Sequence, residues 1–345
     1  MNERISDIGE FGLIERINAL LSREGIRSRR VILGIGDDAA LFRPRTGYEI
    51  LVTCDSLVEG RHFLPRFISP QDLGRRAMSL NISDIGAMGG RPLYALISLG
   101  LRGETPLADI DALYRGFLRE LNPFEASIIG GNLTRSGDKQ FIDITLIGEV
   151  EQGKALTRSG ARAGDVILVS GYPGQSAAGL QLLLQQAHDP KIIGHPLVKV
   201  FNTPSHRALL GAAVARSGLA TAMIDTSDGF LADLGHICTG SRTGAELIRE
   251  KLPLSTELDQ AARTLKKDPL DFFLGDSDDY ELIITCPEKN LNPVRSLAAA
   301  CNLPALLTEV GRISDQVGEM VLIDREGRRH PLLPAGWDHF RLQEA

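Results

Sequence analysis

Phe141-Ile-Asp-Ile-Thr-Leu-Ile-Gly148 sets apolar Ile142, Ile144 and Leu146 against polar Asp143 and Thr145. That period of two is the pattern of a strand with one buried face. Upstream, residues 107–121 place Ile110, Leu113, Phe117 and Leu121 at helical spacing, and residues 93–101 form an apolar strand. Residues 70–88 read as a helix with Leu73, Ala77, Leu80 and Ile85 along one side, preceded by a strand at 49–54. Phe11, Ile14, Ile17 and Leu21 mark a first helix, where Asp7 and Glu10 have the spacing of a capping box. Downstream, the polar run Glu151-Gln-Gly-Lys154 ends the first half, so the reading divides the chain into residues 1–152 and 153–345. The second half offers strands at 165–170, 221–225, 280–285, 306–313 and 320–324. Helices are expected at 174–186, 205–216, 227–239 and 291–301. Strands and helices alternate in both halves, which defines an α/β (α+β) protein of two domains.

Lys plus Arg number 38 and Asp plus Glu 44, a formal net charge of −6, which argues against a partner that is a nucleic-acid backbone. At 43% hydrophobic and 24% charged residues the chain is an ordinary globular one. No apolar run is long enough to span a membrane, so no membrane association is expected. Cys54, Cys238, Cys286 and Cys301 lie far apart, which fits neither a zinc knuckle nor a disulfide framework; a reducing cytoplasm is the expected setting.

The chemistry-bearing residues are acids at strand ends or beside glycine. They are Gly34-Ile-Gly-Asp-Asp-Ala39, Thr53-Cys-Asp-Ser56, Asn81-Ile-Ser-Asp84, Ile224-Asp-Thr-Ser-Asp-Gly229 and Gly275-Asp-Ser-Asp-Asp-Tyr-Glu281. Any one of them alone reads as a turn or a helix cap. Five together place carboxylates in the crevice at the ends of strands, where α/β proteins bind ligands. Like charges gathered there repel unless cations join them, and oxygen-only donors suit Mg²⁺. Two familiar phosphate motifs fail on inspection. Gly34-x-Gly36-x-x-Ala39 matches a dinucleotide fingerprint, but Asp37 and Asp38 would occupy the pyrophosphate's place. Gly148-Glu-Val-Glu-Gln-Gly-Lys154 matches a P-loop, but Ala155 stands where Ser or Thr should hold Mg²⁺. The residues alone therefore describe an Mg²⁺-dependent nucleotide enzyme that manages without a P-loop.

These motifs, in order along nearly the whole chain, resemble the thiamine-monophosphate kinases of the PurM-like (aminoimidazole-ribonucleotide synthetase) superfamily. The resemblance is carried by the motifs above together with Gly9-Glu-Phe-Gly-Leu-Ile14, Asp55-Ser-Leu-Val-Glu-Gly-Arg-His-Phe63, Ile129-Gly-Gly-Asn132 and Ala155-Leu-Thr-Arg-Ser-Gly160. Pro173-Gly174, Ser176-Ala-Ala-Gly179 and Gly336-Trp-Asp-His-Phe340 complete it. It implies ATP-dependent phosphorylation of thiamine phosphate to thiamine diphosphate, in a homodimer whose N-terminal domains pair their sheets. It also implies an N-terminal ATP- and Mg²⁺-binding domain and a C-terminal α/β domain. By the same resemblance Asp38, Asp55, Asp84, Asp225 and Asp228 are expected to ligate several Mg²⁺ ions, with Thr53, Cys54 and Asn132 offering further oxygens, partly from the main chain. Gly131, Asn132, Arg158 and Ser227 are expected to contact ATP, and His62, Asp278 and Trp337 the thiamine phosphate.

The chain departs from that pattern in three places. The family usually carries a metal-binding Asp where Asn132 stands, a Gly-Glu pair where Ser277-Asp278 stands, and a hydroxyl residue in place of Cys54. An ATP-dependent synthetase of the same superfamily, a paralogue acting on a different small molecule, and a nucleotide- or thiamine-binding regulator without turnover are the competing readings.

Overall fold

The computed structural model describes residues 3–301 and 307–333. It falls into two compact units, one of residues 1–86 and 90–153, the other of residues 87–89 and 154–345.

The first unit runs α1 (Ile5–Glu24), β1 (Val31–Leu33), β2 (Leu41–Phe42), β3 (Tyr48–Val58), α2 (Pro70–Ala87), β4 (Arg91–Leu101), α3 (Leu107–Leu121), β5 (Ser127–Arg135) and β6 (Phe141–Glu151). Its main sheet has the order β3-β6-β4-β5, with β4 and β5 parallel and the other pairs antiparallel. The alternation in β6 is realised as read: Ile142, Ile144 and Leu146 are buried, while Asp143 and Thr145 face the other way. All four apolar positions read for α2 and all four for α3 are buried. The two helices touch backbone to backbone. A Cβ on Gly74 would stand 2.1 Å from the Leu113 carbonyl oxygen, and one on Gly116 would stand 2.1 Å from that of Gln71. At the opposite face, Phe42 of the short β1–β2 pair packs on Tyr94 with ring centroids 4.6 Å apart. Arg30, just before β1, grips the buried carboxylate of Glu149 on β6 through two bonds of 2.7 and 3.0 Å.

α1 corrects two local expectations. The N–H of Arg4 donates to Asp7 at 2.7 Å, so the helix is capped one turn earlier than the Asp7–Glu10 pairing expects. Gly9 then adopts φ 67°, which interrupts the helix and rotates the apolar face. Leu13, Ile17 and Leu20 are therefore the buried set, and Phe11 is 80% exposed.

The second unit runs β7 (Val166–Ser170), α4 (Gln175–Gln185), α5 (Pro196–Asn202), α6 (Ala208–Ser217), β8 (Ala222–Asp225), α7 (Phe230–Ser241), β9 (Gly244–Ile248), α8 (Thr256–Leu265), α9 (Pro269–Leu274), β10 (Leu282–Cys286), α10 (Leu291–Ala300), β11 (Leu307–Ser314), β12 (Met320–Ile323) and β13 (Arg329–Pro331). Its seven strands are ordered β13-β12-β9-β11-β7-β10-β8. The sheet is covered on both faces, which is why β7 is apolar throughout. Ile167 and Val169 join Phe230, Leu234 and Phe273 on one side, while Val166 and Leu168 join Leu210, Val214 and Val294 on the other. Among the described residues no helix is long and apolar enough to cross a membrane.

Candidate active site

In the first unit the acids gather around β3. Because successive side chains of a strand face opposite ways, Thr53 and Asp55 point to the face covered by α2, where Asp84 projects from the helix. Thr53 Oγ1 donates to Asp84 Oδ2 at 2.5 Å, and Asp55 shares a hydrogen bond with Asp84. Burial, the Asp84 charge and, more weakly, Asp143 push the Asp55 carboxyl up to about 7. Two carboxylates and a hydroxyl in mutual reach form an all-oxygen set whose repulsion a hard dication would relieve. The donors thus fit Mg²⁺.

Cys54 and Ser56 point to the other face. Ser56 Oγ donates to Asp143 Oδ1 at 2.5 Å, the Cys54 thiol lies 3.6 Å from the same oxygen, and Thr145 donates to Cys54 Sγ at 3.5 Å. The strand register aligns Ser56 with Asp143, Asp143 with Ser98, and Ser98 with Asn132. Asn132 therefore belongs to this outward row, and its side chain is not grouped with Asp55 and Asp84. Its neighbour Gly131 (φ 155°) cannot be another residue, since a Cβ would fall 1.9 Å from the Ile97 carbonyl oxygen. Asp38 lies exposed in the turn after β1, its N–H donating to Asp37 at 2.8 Å. His62 receives the Val58 N–H on Nδ1 at 3.0 Å, which leaves the ring proton of the neutral form on Nε2.

In the second unit Asp225 ends β8, and Ser227 and Asp228 follow in the turn before α7. Asp233 of α7 secures that turn by accepting the N–H groups of Asp228 and Gly229, both at 3.1 Å, and its burial pushes its carboxyl up to about 7. Ligand atoms of Asp228, Asp233 and His236 lie within 4.8 Å of one another and could hold a cation. The 276–281 loop is fastened to the same turn. Tyr280 N–H donates to the Thr226 carbonyl at 2.9 Å, Thr226 N–H to that of Glu281 at 2.8 Å, and Glu281 N–H to Thr226 Oγ1 at 3.0 Å. Tyr280 holds φ 55°, a strained conformation for a bulky residue that tends to mark functional loops. Asp279, buried and pushed up to about 7, accepts the N–H groups of Gly174 (2.6 Å) and Ser176 (2.8 Å) at the start of α4. Asp278 accepts from Ser176 Oγ at 2.5 Å. Glu281 is held by the Arg207 guanidinium and by Ser170. Arg158 is exposed on a segment joined to β8 by the Met223 N–H bond to Thr157 (3.0 Å). Trp337 lies outside the described residues.

Thus Thr53, Asp55 and Asp84 are brought together, whereas Asp225, Ser227 and Asp228 are neighbours along the chain, at the end of β8 and in the turn that follows. Cys54 and Asn132 share the outward face with Asp143. Sequence reasoning passed over Asp143, Asp233 and His236, and held Asp279 only as part of the 275–281 motif, without a role of its own. Asp233 and His236 carried a legible signal, three residues apart on one helix and one turn beyond Asp228. Asp143 carried none beyond being the polar phase of its strand.

Both units, the sheet-centred one with its strand-end acids and the α/β one with acids at the turn after β8, match the AIR synthase related proteins. The family's N-terminal domain matches residues 36–150 and its C-terminal domain residues 162–323. Full-length relatives narrow this. The chain is 35% identical to a thiamine-monophosphate kinase of Aquifex aeolicus over 98% of its own length and all of the relative's. It is 37% identical to that of Escherichia coli K12, over 96% and 98% of the two chains. The chain belongs to the thiamine-monophosphate kinase family. Among solved structures it is similar to the Stenotrophomonas maltophilia kinase, with a TM-score of 0.79 at 33% identity over 94% and 98% of the two chains. It is also similar to AaThiL complexed with AMPPCP and TMP, with a TM-score of 0.73 at 34% identity over 99% and 100%. The hydrogenase maturation protein HypE in complex with ATP shares the fold, at TM-score 0.74 and 18% identity over 94% and 95% of the two chains.

Proposed function

We propose that this protein transfers the γ-phosphoryl group of ATP to the phosphate of thiamine phosphate, releasing thiamine diphosphate and ADP. The observation that carries the reading is family membership over nearly the whole chain. The hydrogen-bonded Thr53–Asp55–Asp84 group supports it on the same strand-end motifs. An acceptor phosphate oxygen attacks the γ-phosphorus in line and ADP departs. No Ser, Cys or His of the motifs is required as a nucleophile.

Asp38, Thr53, Cys54, Asp55, Asp84 and Asn132 of the first unit, with Asp225 and Asp228 of the second, are the residues proposed to hold Mg²⁺. When bound, Mg²⁺ supplies neutralisation of polyphosphate charge. Thr53 fixes the Asp84 carboxylate by its hydrogen bond, and Asp233 fixes the turn carrying Asp228. Gly131, Asn132, Arg158 and Ser227 are the residues proposed to contact ATP. His62, Asp278 and Trp337 are assigned to the acceptor, Trp337 as an aromatic residue suited to cation–π recognition of a thiazolium. The second copy needed for a homodimer is assigned to the aliphatic end of the outward sheet face, where Ile50 and Val52 are exposed opposite Glu149 and Ile147, apart from the Ser56–Asp143 pair. The cytoplasm is the proposed setting, consistent with four unpaired cysteines.

The test is direct. Purified protein with ATP, Mg²⁺ and thiamine phosphate should yield thiamine diphosphate and ADP in equal amounts. Failure with thiamine phosphate alongside turnover of another acceptor overturns the substrate. A phosphoprotein trapped on the reaction path overturns direct transfer.

A further inference from the structure

The outward row of the first sheet joins four residues whose chemistry differs from that of the Asp55–Asp84 group on the other face. Ser56, Asp143, Ser98 and Asn132 stand side by side on β3, β6, β4 and β5. Neighbouring strands lie about 4.8 Å apart, so Asp143 and Asn132 are separated by roughly 10 Å at their Cα atoms and lean on the same face across Ser98. Asp143 is the only carboxylate in that row. Among the described residues its partners are neutral: the Ser56 hydroxyl at 2.5 Å and the Cys54 thiol at 3.6 Å. This half-exposed carboxylate is oriented by a hydroxyl and is paired with no cationic side chain among the described residues, a geometry open to a bound cation. Asn132, in contrast, offers a neutral carbonyl oxygen, a weaker competitor for the water that Mg²⁺ holds tightly.

We propose that Asp143 supplies the carboxylate charge for the magnesium–triphosphate on this face, the charge that the neutral Asn132 does not provide. The inference rests on the reading of the first unit as the Mg²⁺–ATP-binding one. Ser56 acts as a positioning residue for Asp143, and Cys54, at the border of the same row, contributes its main chain rather than its thiol.

The experiment is a titration of Mn²⁺ into full-length protein with the inert analogue AMPPCP, reading free Mn²⁺ by electron paramagnetic resonance, so no turnover is needed. Asp143→Asn, which keeps the shape and the Ser56 bond, should weaken Mn²⁺ at least tenfold or remove one bound ion. Asn132→Asp alone should tighten binding, and adding it to Asp143→Asn should restore affinity. An Asp143→Asn curve that overlays the wild type, or a double variant that recovers nothing, overturns the proposal. Asp84→Asn run alongside separates the two levels. If it weakens Mn²⁺ while Asp143→Asn does not, this inference alone falls; if neither does, the metal reading of the unit falls with it.

Discussion

Asp84 meets Thr53 and Asp55 across the α2–β3 interface, and the three behave as one electrostatic object. Asp84→Asn keeps the outline and an acceptor for the Thr53 hydroxyl but removes one negative charge. Turnover should fall well over tenfold, while the melting temperature in Mg²⁺-free buffer should hold or rise because a repulsion is lost. Steady-state rates and thermal melts check this, and near-wild-type turnover at low Mg²⁺ would remove Asp84 from the site. Asp279 makes a separate prediction about pH. Burial lifts its carboxyl from the usual 3.8 to about 7, outweighing the Ser277 hydroxyl and the N–H groups of Ser176 and Gly174. The fold therefore favours the neutral acid. Its stabilising contribution is complete below about pH 4 and is lost as pH rises through 7. Asp279→Asn cannot ionise, so its melting temperature should decline less between pH 5 and 8 than that of the wild type. Parallel declines would show that Asp279 titrates normally.

At the scale of elements, the α2–α3 contact is the most restrictive feature. Ala is a better helix former than Gly by about 1 kcal/mol. At Gly116, however, the added methyl would sit 2.1 Å from the Gln71 carbonyl oxygen, and neither helix backbone can step aside cheaply. Overpacking of this kind costs about 1–3 kcal/mol, so Gly116→Ala should lower the melting temperature by several degrees; an increase would mean the helices separate freely. Neither glycine announces this contact in the sequence. Elements with a strong period were legible: β6 from its alternation, α2 and α3 from their apolar spacing, and β7 from its apolar run. β5 was not, because Gly130-Gly131 interrupts its pattern, and its pairing with β4 comes from the sheet rather than from strand propensity. β9 and α8 were too short or too polar on average to register. In the site, the acids were legible as motifs, but which face each one takes depends on register. That is how Cys54 and Asn132 come to share a face with Asp143, and why Arg207, the partner of Glu281, had no signal at all.

At the scale of the whole molecule, the outward sheet face leaves Val52 at 64% and Ile50 at 41% exposure, side by side with polar Cys54 and Ser56. Covering aliphatic side chains of this size is worth about 1.5–3 kcal/mol each, and an unpaired charge buried among them costs several. In light scattering the wild type should therefore run at twice the 37.4 kDa mass of the chain, and Val52→Glu at the single mass. A wild-type monomer, or a Val52→Glu dimer, would exclude this face as the subunit contact.

β3 serves two clients at once, with Thr53 and Asp55 turned to α2 and Cys54 and Ser56 turned to the outward row. This double duty constrains how the gene can change length. Inserting or deleting one codon within Tyr48–Val58 would exchange the two sets, sending Asp55 outward and Ser56 toward Asp84 beyond the lesion. A change of two codons would keep every residue on its own side. Length variation in descendants of this chain should therefore collect in the turns at 43–47 and 59–62, and within the strand it should come only in steps of two.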